Sequence, residues 1–422
     1  MEVDPNFARE IIALGGGTLK KCMQCANCSV VCPLSPDENP FPRKEMIWAQ
    51  WGLKERLLRD PDVWLCYNCG DCSKYCPRDA KPGQVLNAIR ARVIAEYAWP
   101  KFIGRILNRP WGFPIFVIIL PALILGALIY WANPGLVIPS GEIETGKFLP
   151  VENVEIAGFV LGGLALLIGL IGLWRYWLAI TDGGGMEYRV KPLENAEIEV
   201  KGSSGFMGMY FIEAFFFVLR DILYHNWFKI CEANRPRFPA HLLIFYGFVA
   251  LFIAAIGDVM GIGEVAGVKL PIKLVYPPPW PWEILYMREF DIAVFTMAIF
   301  KLIGMLGGLA VIIGSAVAIW NRLFNKQSKE LGSYYDWFFL LIVLLVGITG
   351  YCVAIARLFE STATYWLYMA HLYFVFMLLV YAPYSKFAHI LYRTVSMIYA
   401  WTRGKYPKNV PRYFWEHFWG AI

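Results

Sequence analysis

The chain is 422 residues long, 58% hydrophobic, 16% aromatic and only 17% charged. Soluble domains carry about a quarter charged residues, so this balance excludes a disordered chain and argues against an ordinary soluble enzyme. Thirty-nine Lys and Arg against 33 Asp and Glu leave a net charge of +6. That excess is too modest to point to nucleic acid and reads more simply as basic loops flanking membrane helices.

The chain opens MEVDPNFARE, acidic and without an apolar run, so no secretory signal peptide is expected. Residues 1–97 form the first expected domain, rich in Cys, Pro and charge. Eight of the ten cysteines lie between Cys22 and Cys76, the arithmetic of metal ligation rather than of disulfides. It suits a reducing compartment, where thiolates stay free. They fall in two runs of one form, Cys22-x2-Cys25-x2-Cys28-x3-Cys32-Pro33 and Cys66-x2-Cys69-x2-Cys72-x3-Cys76-Pro77. Bacterial proteins with two [4Fe–4S] clusters use this spacing: three thiolates of a run hold one cluster and the fourth reaches the other. The expected sets are Cys22, Cys25 and Cys28 with Cys76, and Cys66, Cys69 and Cys72 with Cys32. Zinc sites need only paired CxxC, which leaves a third and a fourth cysteine plus proline unexplained in both runs. Cys231 and Cys352 read as ordinary thiols of the apolar region. Pro42–Asp60 shows a helical apolar face (Met46, Ile47, Trp48, Leu53, Leu57, Leu58), and a second such segment follows Pro82, with Val85, Leu86, Ile89 and Val93. Gly15-Gly16-Gly17 lacks the GK[ST] that completes a phosphate loop and reads as a turn.

Residues 98–400 form the second expected domain, with spans at about 111–132, 156–176, 239–260, 292–320, 336–357 and 361–390. Each is near the ~20 residues a helix needs to cross ~30 Å of hydrocarbon. Met207–Leu219 is shorter; Glu213, Arg220 and Asp221 interrupt or end it, and it reads as a helix lying at the interface. Lys101, Arg105 and Arg109, then Arg175, Arg189, Lys191 and Lys201, Arg235 and Arg237, Arg322, Lys326 and Lys329, and Lys386, Arg393, Arg403 and Lys405 all fall in loops of one side. By the positive-inside rule both termini, including the tail 401–422, are cytoplasmic, in a multi-pass protein of a bacterial or archaeal inner membrane whose further partner is lipid.

The chain has five histidines, and an ionisable group within a span is a functional hypothesis. His371 lies in the sixth span and His389 follows eighteen residues later, five helical turns and about 27 Å along one face of an uninterrupted helix. That spacing suits axial ligands of two stacked haems. His241 opens the third span at the end where His389 closes the sixth, so these two are the expected clamp of one haem b. His225 is the further candidate; a Met ligand or a deeper insertion of Met207–His225 are alternatives. His417, in the aromatic tail, is not expected to ligate. No CxxCH occurs, so haem is held without covalent attachment. The expected fold is all-α: a helical, ferredoxin-like two-cluster domain followed by a six-helix cytochrome b bundle. Lys301 and Asp258 lie toward the outer ends of the fourth and third spans. They suggest a quinol pocket beside His371, Lys301 facing a quinone carbonyl and Asp258 taking a proton. The blander readings are that Lys301 neutralises a propionate and Asp258 caps a helix.

These residues carry a resemblance. Residues 22–95, with the WxCxxCxxCxxxCPR pattern of Trp64–Arg78, resemble the small iron–sulfur subunit of heterodisulfide reductases. The stretch from His371-Leu372 to Pro383-x-Ser385-Lys386-x2-His389-Ile390 is similar to the last helix of the haem b subunit of respiratory nitrate reductase. A fusion of the two resembles the C-subunit family of quinone-interacting membrane-bound oxidoreductases (Qmo). That resemblance implies a route from menaquinol through haem b and two [4Fe–4S] clusters to soluble flavin- and iron–sulfur-containing subunits, with adenylylsulfate reductase as acceptor in dissimilatory sulfate reduction. A heterodisulfide-reductase-like or sulfite-reduction menaquinol complex is the alternative. Nitrate-reductase-type subunits carry two histidines about ten residues apart on their second helix, whereas Leu251 stands ten residues after His241. The partner of His371 is therefore open.

Overall fold

A computed structural model describes residues 2–36, 40–107, 112, 114–141, 143–181, 204–262, 264–265, 268–269, 292–325, 328–329 and 332–402. Apart from a two-residue antiparallel ribbon, Glu264–Val265 with Val268–Lys269, its elements are helical. The N-terminal domain strings together short helices: α1 (Phe7–Ala13), α2 (Asn27–Val30), α3 (Arg43–Gln50), α4 (Lys54–Leu58), α5 (Asp62–Leu65) and α6 (Asp71–Lys74). They pack on the longer α7 (Pro82–Tyr97). Pro82 suits the first turn of α7, where no intrahelical partner for its N–H is needed. The face of α7 that buries Val85, Leu86, Ile89 and Val93 meets Phe7, Ile11, Met46, Leu57 and Val63.

After α8 (Lys101–Leu107) come α9 (Leu120–Ala132), α10 (Thr145–Phe148), α11 (Val151–Thr181), α12 (Ser204–Tyr224), α13 (Asn226–Ile230), α14 (Phe238–Ile262), α15 (Ile292–Phe324), α16 (Tyr334–Leu358), α17 (Ala363–Tyr381) and α18 (His389–Thr402). Among the described residues, six stretches are long and apolar enough to cross a membrane: Ile115–Ala132, Val151–Thr181, Arg235–Gly257, Val294–Phe324, Asp336–Leu358 and Ala363–Tyr384. Their outer faces carry exposed Phe159, Leu166, Phe252 and Leu306, the pattern expected where lipid is the solvent. The chain is a multi-pass membrane protein. α12 is not among the six; it lies along α18. α14 and α15 touch backbone to backbone: a Cβ on Gly307 would stand 3.0 Å from the Gly247 carbonyl oxygen and 2.7 Å from the Ala250 Cβ. Small residues permit such close approach where lipid gives helices no hydrophobic drive to associate.

The sixth span is shorter than its apolar run suggests. α17 ends at Tyr381, and two 3₁₀ turns, Ala382–Tyr384 and Lys386–Ala388, precede α18. Pro383 lacks the N–H that would continue the ladder, and Ser385 Oγ accepts from the Phe387 N–H at 3.1 Å. His371 and His389 therefore sit on different helices, which corrects the expectation of one helix over 361–390 with both rings on one face.

The two parts share a core. Trp64 stacks on Tyr392 with ring centroids 5.3 Å apart, and Tyr176, Phe217, Trp227 and Met397 join the same buried cluster as Ile11 and Val93. Arg175 donates to the Tyr97 carbonyl at 3.0 Å, and the Tyr384 hydroxyl to that of Trp99 at 2.6 Å. The cluster domain is docked on the ends of the spans that carry the basic loop residues.

Candidate electron-transfer site

The two cysteine runs adopt one backbone. Cys22 and Cys66 each follow a short helical turn in extended conformation (φ −70°, ψ 125° and φ −67°, ψ 129°). The residue before the second cysteine and the one after it then turn left-handed: Gln24 (φ 62°) and Ala26 (φ 68°) in the first run, Asn68 (φ 52°) and Gly70 (φ 92°) in the second. α2 and α6 follow, carrying Cys28 and Cys72. This winding turns three side chains toward one centre. The fourth cysteines cross over. Cys76 lies within electrostatic reach of Cys22 and Cys28, and Cys32 within reach of Cys66, Cys69 and Cys72.

The crowding has a chemical meaning. Burial first, then Cys22, Cys25 and Cys76, pushes the Cys28 thiol up to about 12. Burial and neighbouring cysteines push Cys32 and Cys72 upward too. Such thiols ionise only when a cation compensates them, which a metal centre does. The donor sets therefore suit iron–sulfur clusters.

The second run is wrapped by arginines from three elements. Arg90 of α7 donates to the Cys66 carbonyl and, at 2.9 Å, to that of Val63. Arg393 of α18 donates to the Cys66 carbonyl at 2.8 Å and lies 4.1 Å over the Tyr67 ring. Arg237, ahead of α14, donates to the Asn68 carbonyl at 2.8 Å. Cys231 lines the same pocket as Cys32, Cys66, Cys69 and Cys72, and its thiol is hydrogen-bonded to that of Cys69. Sequence reasoning missed this: a lone cysteine following a short helix gives no local sign of such a neighbour.

Three histidines gather beside this run. His225 Nδ1 lies 3.2 Å from the Leu223 carbonyl oxygen, and its Nε2 lies 2.9 Å from His241 Nδ1. His389 Nδ1 lies 2.5 Å from the Lys386 carbonyl oxygen and its ring is within electrostatic reach of His241. Burial holds His389 and His225 below the usual histidine range, with Arg393 adding to both. His371 is elsewhere: Nδ1 is 3.0 Å from Thr349 Oγ1 of α16, and a Cβ on Gly350 would meet its Cε1 at 3.1 Å. Thr349 places its own proton on the Leu345 carbonyl at 2.6 Å, so it accepts from His371. Asp258 lies in α14 with its side chain outside the described residues, as does His417 altogether. Gly257, next to Asp258, abuts Phe300, next to Lys301, across α14 and α15.

A second missed residue is Asp336, buried at the start of α16. Its carboxylate pairs with Lys386 and Arg322 (3.7 Å) and accepts from the Ser333 N–H (2.8 Å) and from Asn87 of α7 (2.9 Å). Burial pushes the Lys386 ammonium well below its ordinary range, with repulsion from Arg322, Arg90, Arg237 and Arg393.

Residues 18–80 match the 4Fe-4S dicluster domain family. This segment is therefore an iron–sulfur domain. A heterodisulfide reductase subunit-like protein of Archaeoglobus profundus is 38% identical over 98 residues, 23% of this chain and 52% of that protein. The citrate utilization protein B of Escherichia coli is 26% identical over 350 residues, 79% of this chain and 80% of that protein. A subunit of the dihydromethanophenazine:CoB–CoM heterodisulfide reductase of Methanosarcina mazei is 24% identical over 257 residues, 57% of this chain and 90% of that protein. The chain spans about half the length of several curated relatives it matches through the iron–sulfur domain. No solved structure matches. The iron–sulfur part thus resembles one heterodisulfide reductase subunit and the chain also resembles a different subunit of another such reductase, so an electron-transfer role in a redox complex is supported.

Proposed function

We propose that this chain is the membrane subunit of a menaquinol-linked oxidoreductase of the Qmo type. In this reading it passes electrons through haem b and two [4Fe–4S] clusters to soluble flavin and iron–sulfur subunits, with adenylylsulfate reductase as final acceptor. The observation that carries the reading is the junction. Arg393, four residues after His389, donates to the carbonyl of Cys66, so the candidate haem ligands and the second cysteine run are held together. His389 and His241 each have Nδ1 engaged, which leaves Nε2 free for iron, the arrangement usual in metal-ligating histidines. Bound haem b supplies one-electron exchange between a two-electron quinol and one-electron clusters.

The cysteine sets are those named above. Cys66, Cys69, Cys72 and Cys32 lie toward the bundle. Cys25 is exposed, and Met23 (66% exposed) and Val30 (81%) rim the first run, which makes the first cluster the exit to partner subunits. Termini are cytoplasmic, since the cluster domain caps the basic ends of the spans. Lys301 and Asp258, with His371, remain the proposed quinol pocket at the other end; the contact of Gly257 with Phe300 supports it only by bringing α14 and α15 together at that level. The test is purification of the intact complex: pyridine haemochrome should report haem b, and a menaquinol analogue should reduce haem and then clusters. Absence of haem, or reduction of clusters alone by quinol, rejects the route. The likeness to the M. mazei reductase favours a second reading, a heterodisulfide-reductase-like or sulfite-reduction complex. The proteins that copurify decide between them.

A further inference from the structure

Beside the junction, one imidazole stands behind another. The Leu223 carbonyl oxygen has only lone pairs, so His225 Nδ1 carries the proton in their 3.2 Å contact. His225 is 6% exposed and its ring lies among those of Phe228, Phe238 and Phe245, apolar surroundings that favour the neutral form. A neutral ring protonated at Nδ1 has a lone pair at Nε2. That lone pair lies 2.9 Å from His241 Nδ1, so His241 is the donor there, and its own lone pair is at Nε2. The carbonyl, the first ring and the second ring thus form a directed chain that fixes one tautomer of His241. The backbone is shaped for it. His225 has φ 52° and ψ 37°, a left-handed turn between α12 and α13, and its ring meets that of His241 with centroids 4.8 Å apart, boxed by Phe228, Phe238 and Phe245.

We infer that His225 is a positioning residue: it accepts the Nδ1–H of His241, orients that ring and strengthens it as an axial ligand of haem b, rather than binding iron itself. The inference rests on the reading of His241 and His389 as the haem ligands. A ligand imidazole whose N–H is accepted by a neighbour is a stronger donor, and outer partners of this kind typically change metal affinity or activity by 10–100-fold. A stronger donor stabilises ferric over ferrous haem.

The experiment uses the full chain in detergent, with wild type, His225→Leu, His225→Gln and His241→Leu compared. The EPR signals of the two clusters serve as the control for folding. Glutamine places a carbonyl oxygen where His225 has Nε2 and can still accept from His241. His225→Leu should keep a low-spin haem but shift its ferric/ferrous equilibrium about tenfold toward ferrous, a rise of about 59 mV for one electron, with an altered low-spin EPR signal. His225→Gln should restore the wild-type potential. Loss of haem in His225→Leu with retention and normal potential in His225→Gln supports the inference too. An unchanged potential and EPR signal in His225→Leu overturns it, and so does equal loss of haem in both His225 variants with clusters intact, since His225 would then be a ligand. Wild-type protein without haem b refutes the haem reading itself, and the inference with it. Retained haem in His241→Leu refutes the ligand assignment specifically.

Discussion

The two cysteine runs are one local structure in two settings. Both wind through an extended first cysteine, two left-handed residues and a four-residue helix. The first run faces outward, with Cys25 exposed and Met23 and Val30 bare. The second is buried against α18, receives hydrogen bonds from Arg90, Arg237 and Arg393, and has Cys231 at its side. Local spacing builds the ligand cradle, and long-range packing decides what surrounds it. Net charge, hydrogen bonds to sulfur and exposure set a cluster's potential, so identical motifs need not hold equivalent carriers.

The sharpest way to break this comparison is to test the crossing of the fourth cysteines. Cys32→Ala should remove the second cluster and leave the first, and Cys76→Ala the reverse. Each should drop iron from about eight to about four atoms per chain, read by iron analysis, with EPR identifying the survivor. If Cys32→Ala abolished the cluster of its own run, the crossing would be wrong. Next in size is the contact that docks the two regions. Asp336→Ala strands Lys386 and Arg322 without their carboxylate, and removing one partner of a buried ion pair costs about 3–5 kcal/mol. The melting temperature should fall while iron content stays. An unchanged melt would show that the apolar seam of Trp64, Tyr392 and Tyr176 suffices.

How much of this was legible beforehand follows the range of each interaction. The cluster loops were legible because every determinant lies within eleven residues of sequence, and the six spans because lipid demands one composition over ~20 residues. His389 was legible as a candidate but misplaced: the periodicity ran through Pro383, and only the break there puts it on α18. Asp336, Cys231 and the three arginines were not legible, because their partners lie far away in the chain, such as Asn87 for Asp336 and Cys66 for Arg393. The pairing of His225 with His241 spans only sixteen residues, yet it depends on a left-handed turn that no composition rule requires of a histidine.

A smaller effect belongs to a buried acidic cluster of the N-terminal domain. Glu45, Asp60 and Asp62 crowd one ammonium, with Lys44 Nζ 3.4, 2.9 and 2.5 Å from them. Burial of Glu45 holds its carboxyl well above 4.5, with Asp60 and Asp62 adding to the shift and Lys44 opposing it. A raised folded value means that the native state keeps a proton the unfolded chain has lost. Stability from this group is thus complete below about pH 4.5 and falls as pH rises toward the folded value, by about 1.4 kcal/mol per pH unit. Glu45→Gln should flatten the fall in melting temperature above pH 5 and raise stability at pH 8; an unaltered pH slope would remove Glu45 from this role.

The finest test asks whether surroundings alone separate the two carriers. Once Cys69 is bound as thiolate, Cys231 can only donate to it. An S–H donor stabilises the more negative, reduced cluster and raises its potential. A hydrogen bond contributes about 0.5–1.5 kcal/mol net, and tenfold in a one-electron equilibrium is 59 mV. Cys231→Ala should therefore lower the potential of the second cluster by roughly 20–60 mV, and Cys231→Ser, which keeps a donor, by less. The first cluster lies outside this contact, so redox titration followed by EPR should find it unmoved in both variants. A shift of both clusters together would mean that Cys231 acts through the fold rather than through the sulfur of Cys69. No shift in either would leave the arginines as the features that set the second run apart.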